Sequence, residues 1–249
     1  KVYTTLDPNL QNQAEKLVKS QVQALAAQKV TGGALVAIRP STGEILSMVG
    51  SPDFYGGKAG QINMATSPRQ PGSAIKPLTY VAAFEKGWNP ATVIWDVASE
   101  FPPSGDPGDT RPPYKPTNYD LKEHGPMSVR VALANSFNIP AVKALEYVGI
   151  YDNPNNAGPD GLIAFAKRLG ITTFTRPDYG LALTLGGGEV TLLELTSAYS
   201  AFANGGRRFP TYAISKIEDH QGKVVYEHKP PVGEQVVRAE HAYSISSSL

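Results

Sequence analysis

Apolar residues recur at Leu10, Ala14, Leu17, Val18 and Leu25, a spacing that predicts an amphipathic helix over 8–27. Asp7 stands before it as N-cap and Pro8 takes its first position, while "VYTT" ahead of both reads as a short strand. Two apolar runs in "GALVAIRPSTGEILSMVG" bracket Pro40-Ser41-Thr42-Gly43 and predict a hairpin. The unbroken run 34–38 implies a strand covered on both faces. A second helix follows Ser73, carries Leu78, Val81, Ala82 and Phe84, and stops at Gly87. Residues 88–126 then break the pattern. Prolines crowd "FPPSGDPGDTRPPYKP", as expected of a long loop that is functional or disordered.

Helical spacing returns at Ser128. "VRVALAN" runs to Ser136, and "PAVKALEYVG" restarts behind Pro140 and closes at Gly149. Residues 160–169 predict another helix with Asp160 as its cap. Thr191 and Glu194 have the spacing of a capping box, opening a helix that ends at Gly205-Gly206. "AISKIEDHQGKVVYEH" alternates about a central turn as a second hairpin, and "AEHAYSISSSL" begins an amphipathic helix that stops in mid-pattern. Strands at both ends with helices between them predict an α+β fold, its antiparallel sheet built from N- and C-terminal segments and flanked by helices.

Composition narrows the chemistry. The 249 residues carry 23 Lys+Arg and 22 Asp+Glu, a net charge of +1 that gives no reason to expect nucleic acid as a partner. Cysteine is absent, which removes disulfides, thiol catalysis and cysteine-zinc sites. His124, His220, His228 and His241 show no metal-ligand spacing and read as isolated loop or surface residues. No apolar run is long enough to span a membrane.

The stretch "RQPGSAIKPLTY" (69–80) places Ser73 and Lys76 three residues apart at a helix start, so both side chains share one face. A serine hydroxyl becomes a useful nucleophile when a neighbour takes its proton. An ordinary lysine is neutral in only about one molecule in two thousand at pH 7, so Lys76 could serve as that base only if desolvated or set beside another cation. The helix N-terminus would direct N–H groups at the growing negative charge. Alternatively Ser73 caps the helix and Lys76 is a surface lysine. "ANSFNIP" (134–140) supplies a hydroxyl, Ser136, and a carboxamide, Asn138, at a junction between helices, where capping is again the alternative.

Together these stretches resemble the transpeptidase domain of penicillin-binding proteins, the bifunctional class A type in particular. "RQPGSAIKPLTY", "LANSFNIPAVKAL" and "LTLGGGEVTLLELTSAYSAFANGG" carry the resemblance, and "YTTLDPNLQNQAE", "GALVAIRPSTGEILSMVG" and "PTNYD" extend it in order over nearly the whole chain. The resemblance implies a transpeptidase/β-lactamase-like fold with a mostly helical lobe. It implies that Ser73 is the acylated nucleophile, Lys76 its general base, Ser136 a proton relay to the leaving group, and Asn138 a ligand for the substrate's peptide carbonyl. Asn118 and Tyr119, with Trp88 and Tyr114, are candidates to line the cleft.

The implied reaction is acyl transfer from a peptidoglycan stem peptide ending in D-Ala-D-Ala, with β-lactams entering the same site and no cofactor or metal required. The implied parent protein is anchored at the outer face of the cytoplasmic membrane, carries an N-terminal glycosyltransferase domain and works with other cell-wall synthesis proteins. Two departures stand out. Phe137 replaces the Asp of the usual Ser-Asp-Asn motif, and the third motif, Lys-Thr/Ser-Gly, is absent. "KVTGG" at 29–33 has an extra residue and comes too early. The expectation is therefore one domain over 1–249 lacking its C-terminal strand region, which a second chain or further residues would supply; alone it would be a poor catalyst. Two rival readings are a serine β-lactamase, with Glu189 or Glu194 activating water, and a non-catalytic scaffold that binds peptidoglycan or partner proteins.

Overall fold

A computed structural model of the chain describes every residue except 157, 230 and 231, and the chain divides into two compact units. The first comprises Lys1–Pro68 and Thr191–Val236; the second comprises Arg69–Val190 and Val237–Leu249.

In the first unit, strand β1 (Val2–Thr4) pairs antiparallel with β7 (Ile214–Glu218), β7 with β8 (Val224–Glu227), and β6 (Arg207–Arg208) with β9 (Glu234–Gln235). The N-terminal strand thus lies on a C-terminal hairpin, as the pattern predicts. Helix α1 (Pro8–Ala24) is opened by Asp7, whose Oδ1 accepts the N–H groups of Asn9 and Leu10 at 2.9 and 3.1 Å. Its buried face, Ala14 and Val18, packs with Val49 of β3 (Ile45–Val49) and Leu35 of β2 (Leu35–Ile38).

β2 departs from expectation. None of its four residues is fully buried, whereas β3 alternates buried and half-buried positions. The two strands form a two-stranded sheet among the described residues, and so narrow a sheet leaves its flanks partly open. Helix α6 (Leu192–Ala203) packs on β2 and starts with the expected capping box, Thr191 Oγ1 accepting from the Glu194 N–H at 3.1 Å.

The second unit is organised around helix α2 (Lys76–Glu85), in which every residue from Lys76 to Phe84 is buried. A helix buried on every face belongs in a core, and α4 (Asn138–Val148), α5 (Leu162–Arg168) and α7 (Ala239–Ser246) pack around it. Gly87, at φ +104°, ends α2 as predicted: its N–H reaches Phe84 O and the Trp88 N–H reaches Ala83 O, both at 3.0 Å.

The segment 88–126 is more ordered than its composition suggests. It leaves through β4 (Val93–Asp96) and returns through β5 (Gly125–Ser128), which pair antiparallel in full register. Between them Phe101 and Tyr114 exchange backbone hydrogen bonds at 3.0 and 2.8 Å. β4 escapes a search for apolar alternation because one of its two buried positions is the carboxylate Asp96; Val93 and Trp95 point to solvent. Trp88 stacks on Tyr147 at 4.7 Å between centroids, packing the start of the loop onto α4. Helix α5 begins at Leu162 behind Gly161, so Asp160 is not its cap. That carboxylate instead takes Lys86 Nζ at 3.0 Å and the Asn153 N–H at 2.8 Å.

Residues 181–190 clasp the turn before α2. Arg69 and Val190 exchange backbone hydrogen bonds at 2.9 Å, and the buried hydroxyls of Thr79 and Thr184 meet at 2.8 Å. Gly186 sits at φ +95°, and a Cβ there would lie 2.4 Å from the Gly72 nitrogen. Both the dihedral and the space require glycine. Gly186→Ala is expected to lower unfolding free energy by about 2–4 kcal/mol, combining left-handed strain with overpacking. Denaturant unfolding at constant m-value checks this, and a change below about 0.5 kcal/mol, the ordinary surface-substitution range, rejects the close approach as a constraint.

Candidate active site

All four motif side chains lie in the second unit. Ser73 occupies a 3-10 turn, Gly72–Ile75, that runs directly into α2, and it is exposed. Lys76, the first residue of α2, is 1% exposed, and its backbone N–H returns to Ser73 O. The two side chains therefore stand one turn apart with opposite solvation. The bland alternative for each fails: Ser73 makes no side-chain cap and Lys76 is not a surface lysine.

The ammonium of Lys76 is met by the 136–138 segment. Nζ donates to Ser136 O at 2.5 Å, to Asn138 Oδ1 at 2.7 Å and to Ser136 Oγ at 3.2 Å. Three donors thus find three oxygens, all uncharged. Burial lowers the Lys76 pKa from 10.5 to about 8. Among the described residues no hydrogen bond joins Lys76 Nζ to Ser73 Oγ. The contact that spacing suggested is replaced by one made sixty residues along the chain.

Ser136 reaches Nζ with both its carbonyl and its hydroxyl because its backbone is left-handed, at φ +53°. It follows helix α3 (Val129–Ala134), which Ser128 caps by accepting the Val131 N–H. The ending of α3 is a Schellman motif: the Ser136 N–H bonds Leu133 O at 2.9 Å and the Phe137 N–H bonds Ala132 O at 3.0 Å. Glycine usually fills that position, and a serine held there is strained, which marks sites where a side chain is needed. Capping and chemistry are therefore not alternatives at Ser136, since the cap geometry is what aims its oxygens.

Asn138 is the first residue of α4, which starts two residues earlier than the pattern behind Pro140 suggests. Its Oδ1 takes Lys76, and its Nδ2 donates to Thr117 O at 2.8 Å, leaving one amide hydrogen for another acceptor. No side chain of its own sequence caps α4. Asn118 does so from the loop: its Oδ1 accepts the Asn138 N–H at 2.8 Å and the Ile139 N–H at 3.4 Å. Its Nδ2 lies against both oxygens of Asp96, at 2.9 and 2.8 Å, and against Lys122 O at 2.8 Å. At 2% exposure with its amide fully engaged, Asn118 has nothing left to offer a ligand, contrary to the expectation that it lines a cleft. Tyr119, its neighbour, is completely exposed. Tyr114 is half-buried, paired through its backbone with Phe101, so it packs the loop.

His124 corrects the view of four isolated histidines. Its Nδ1 lies 2.6 Å from Asp96 Oδ2 and its Nε2 lies 3.0 Å from Asp120 Oδ2. Its ring stacks on Phe137 with centroids 4.0 Å apart. The hydrogen bond to Asp96 holds its pKa above the ordinary histidine value. Asp96 and His124 escape sequence reasoning because no spacing rule links positions 96, 118, 124 and 137. The only local signal is the four-residue interval from Asp120 to His124. Of the two carboxylates considered for activating water, Glu194 is engaged in the α6 capping box and Glu189 is exposed.

A family model for the penicillin-binding protein transpeptidase domain matches residues 33–249. Penicillin-binding protein 1A of Aquifex aeolicus is 38% identical over 209 residues, covering 84% of this chain and 26% of that protein. Penicillin-binding protein 2D of Bacillus subtilis is 33% identical over 249 residues, covering all of this chain and 33% of that protein. The chain thus spans about a quarter to a third of the length of these relatives. Among solved structures, penicillin-binding protein 1A from Haemophilus influenzae superposes with a TM-score of 0.73 at 31% identity, over 88% of this chain and 34% of that one. PonA1 from Mycobacterium tuberculosis, at 22% identity, shares the fold with a TM-score of 0.79 over 100% of this chain and 62% of that one. This chain belongs to the penicillin-binding protein transpeptidase domain family.

Proposed function

We propose that the chain carries the serine acyl-transfer site of a peptidoglycan D,D-transpeptidase that β-lactams also acylate. The observation that carries this reading is a lysine buried at the start of α2, with a pKa near 8 and only neutral oxygens around it, one turn from an exposed serine.

As an ammonium, Lys76 uses all three donors. On losing a proton it keeps the two shorter bonds, to Ser136 O and Asn138 Oδ1, and its lone pair is free. That lone pair takes the Ser73 hydroxyl proton, directly or through the Ser136 hydroxyl, as Oγ attacks the carbonyl carbon of the penultimate D-Ala. The tetrahedral intermediate collapses by breaking the C–N bond. The proton passes from Lys76 through Ser136 Oγ to the departing amine of the terminal D-Ala. An amine of a neighbouring stem then attacks the ester carbonyl and restores the Ser73 hydroxyl. The free hydrogen of Asn138 Nδ2 is the donor to the substrate's peptide carbonyl, and Asn118 positions Asn138 rather than touching substrate.

The reading extends to a longer parent protein, anchored so that this domain faces the peptidoglycan outside the cytoplasmic membrane. A glycosyltransferase domain and other cell-wall synthesis proteins are its expected companions. The Lys-Thr/Ser-Gly element would come from a further segment or a second chain. It would bring a second cation near Lys76 and so depress its pKa further.

Mass spectrometry of the full-length protein after exposure to a labelled penicillin should find one adduct, on Ser73, and Ser73→Ala should abolish it. An adduct on any other residue overturns the mechanism. Because the neutral amine is the active form, the acylation rate should rise with pH to a midpoint near or below 8, and a flat profile from pH 6 to 10 rejects Lys76 as base. Lys76→Ala should slow acylation by about 10²- to 10⁴-fold, the usual worth of a general base.

A further inference from the structure

Asp96 ends β4 fully buried, and both arms that reach the Ser136–Asn138 segment touch it. One arm is Asn118, fixed by the carboxylate and capping α4 at Asn138. The other is His124, whose backbone N–H and ring Nδ1 both lie against Asp96 Oδ2, at 3.0 and 2.6 Å. Ring Nε2 lies 3.0 Å from Asp120 Oδ2, so both ring nitrogens face carboxylate oxygens, and the hydrogen bond to Asp96 holds the ring's pKa above the ordinary histidine value. Its face lies on Phe137, 4.0 Å between centroids and 23° from parallel. Phe137 is the residue between the two that hold the Lys76 ammonium. It also follows the left-handed Ser136, and its own N–H makes one of the two Schellman hydrogen bonds that hold Ser136 in that strained conformation.

We propose that His124, braced by Asp96, is a positioning residue that acts through Phe137 to hold Ser136 and Asn138 over the Lys76 ammonium and so keep water from it. The proposal rests on the acyl-transfer reading only for its kinetic consequence; the geometric claim stands apart. Among the described residues four charged or titratable groups bear on this centre: Asp96 from β4, Asp120 from the same loop, and two on packed helices. Those two are Lys143 of α4, whose ammonium sits on Trp95 O at 2.6 Å, and Tyr80 of α2, whose hydroxyl feels Asp96.

The test is a double-substitution cycle in the full-length protein with His124→Ala, Phe137→Ala and both together. The Lys76 titration is followed by NMR of ¹³C-labelled lysine, alongside the rate of Ser73 labelling by a fluorescent penicillin. Either single change should raise the Lys76 midpoint from its unsubstituted value toward 10.5 and slow labelling on the order of 10- to 100-fold, the scale of a small misplacement. The double variant should be no worse than the worse single one, because both act through one contact. Phe137→Tyr, which keeps the stack, should restore both readouts. His124→Gln replaces the alanine variant if that does not fold, and should shift Lys76 the same way.

An unmoved Lys76 midpoint in folded His124 variants overturns the proposal, as do single effects that multiply in the double variant. A parent protein that takes no label on Ser73, with Lys76 still responding to His124, upholds the positioning role and refutes the acyl-transfer reading instead.

Discussion

The second unit depends on where a single cation has been put. Burying an ammonium costs several kcal/mol unless its hydrogens are satisfied, and a carboxylate is the usual remedy. Here the remedy is three neutral oxygens from one segment. They satisfy the hydrogens without supplying a countercharge, so the proton stays easy to remove and the pKa falls to about 8. A carboxylate in the same place would have stabilised the charged form and raised it. Proton affinity is thus set by the choice of acceptor as much as by burial.

That choice has a structural cost, met by strained or crowded backbone. Ser136 occupies the left-handed end of a Schellman motif where glycine is at ease, because its side chain and carbonyl must both face Nζ. On the other side of α2, Gly186 comes so near Gly72 that no side chain fits, and this sets the turn that presents Ser73. The packing of α4, α5 and α7 around α2 gives these local arrangements something rigid to lean on.

The proline-rich excursion from β4 to β5 serves the same end. Without Asn118, α4 would begin with uncapped N–H groups, since Phe137 offers none of the usual cap chemistry. Without His124, the Phe137 ring would lose the partner it stacks on. Asp96 ties both to the strand that opens the loop. The phenylalanine in the middle of the Ser-x-Asn motif is thus the contact point between loop and motif.

Helices α1, α2, α3 and α6, the caps at Asp7, Gly87 and Thr191, and the β7–β8 hairpin were legible from the chain alone, because each rests on interactions within a few residues. The motifs also singled out Ser73, Lys76, Ser136 and Asn138 as candidates, of which the structure joins Lys76 to Ser136 and Asn138. Tertiary structure decided what those residues touch. Lys76 hydrogen-bonds to Ser136 and Asn138 rather than to Ser73; Asn118 caps a helix instead of meeting solvent; β4 hides a carboxylate on its buried side. The reason is one of range. Periodicity and capping are short-distance rules, whereas the desolvation of an ammonium and the pairing of positions 96, 118, 124 and 137 exist only once distant segments have packed together.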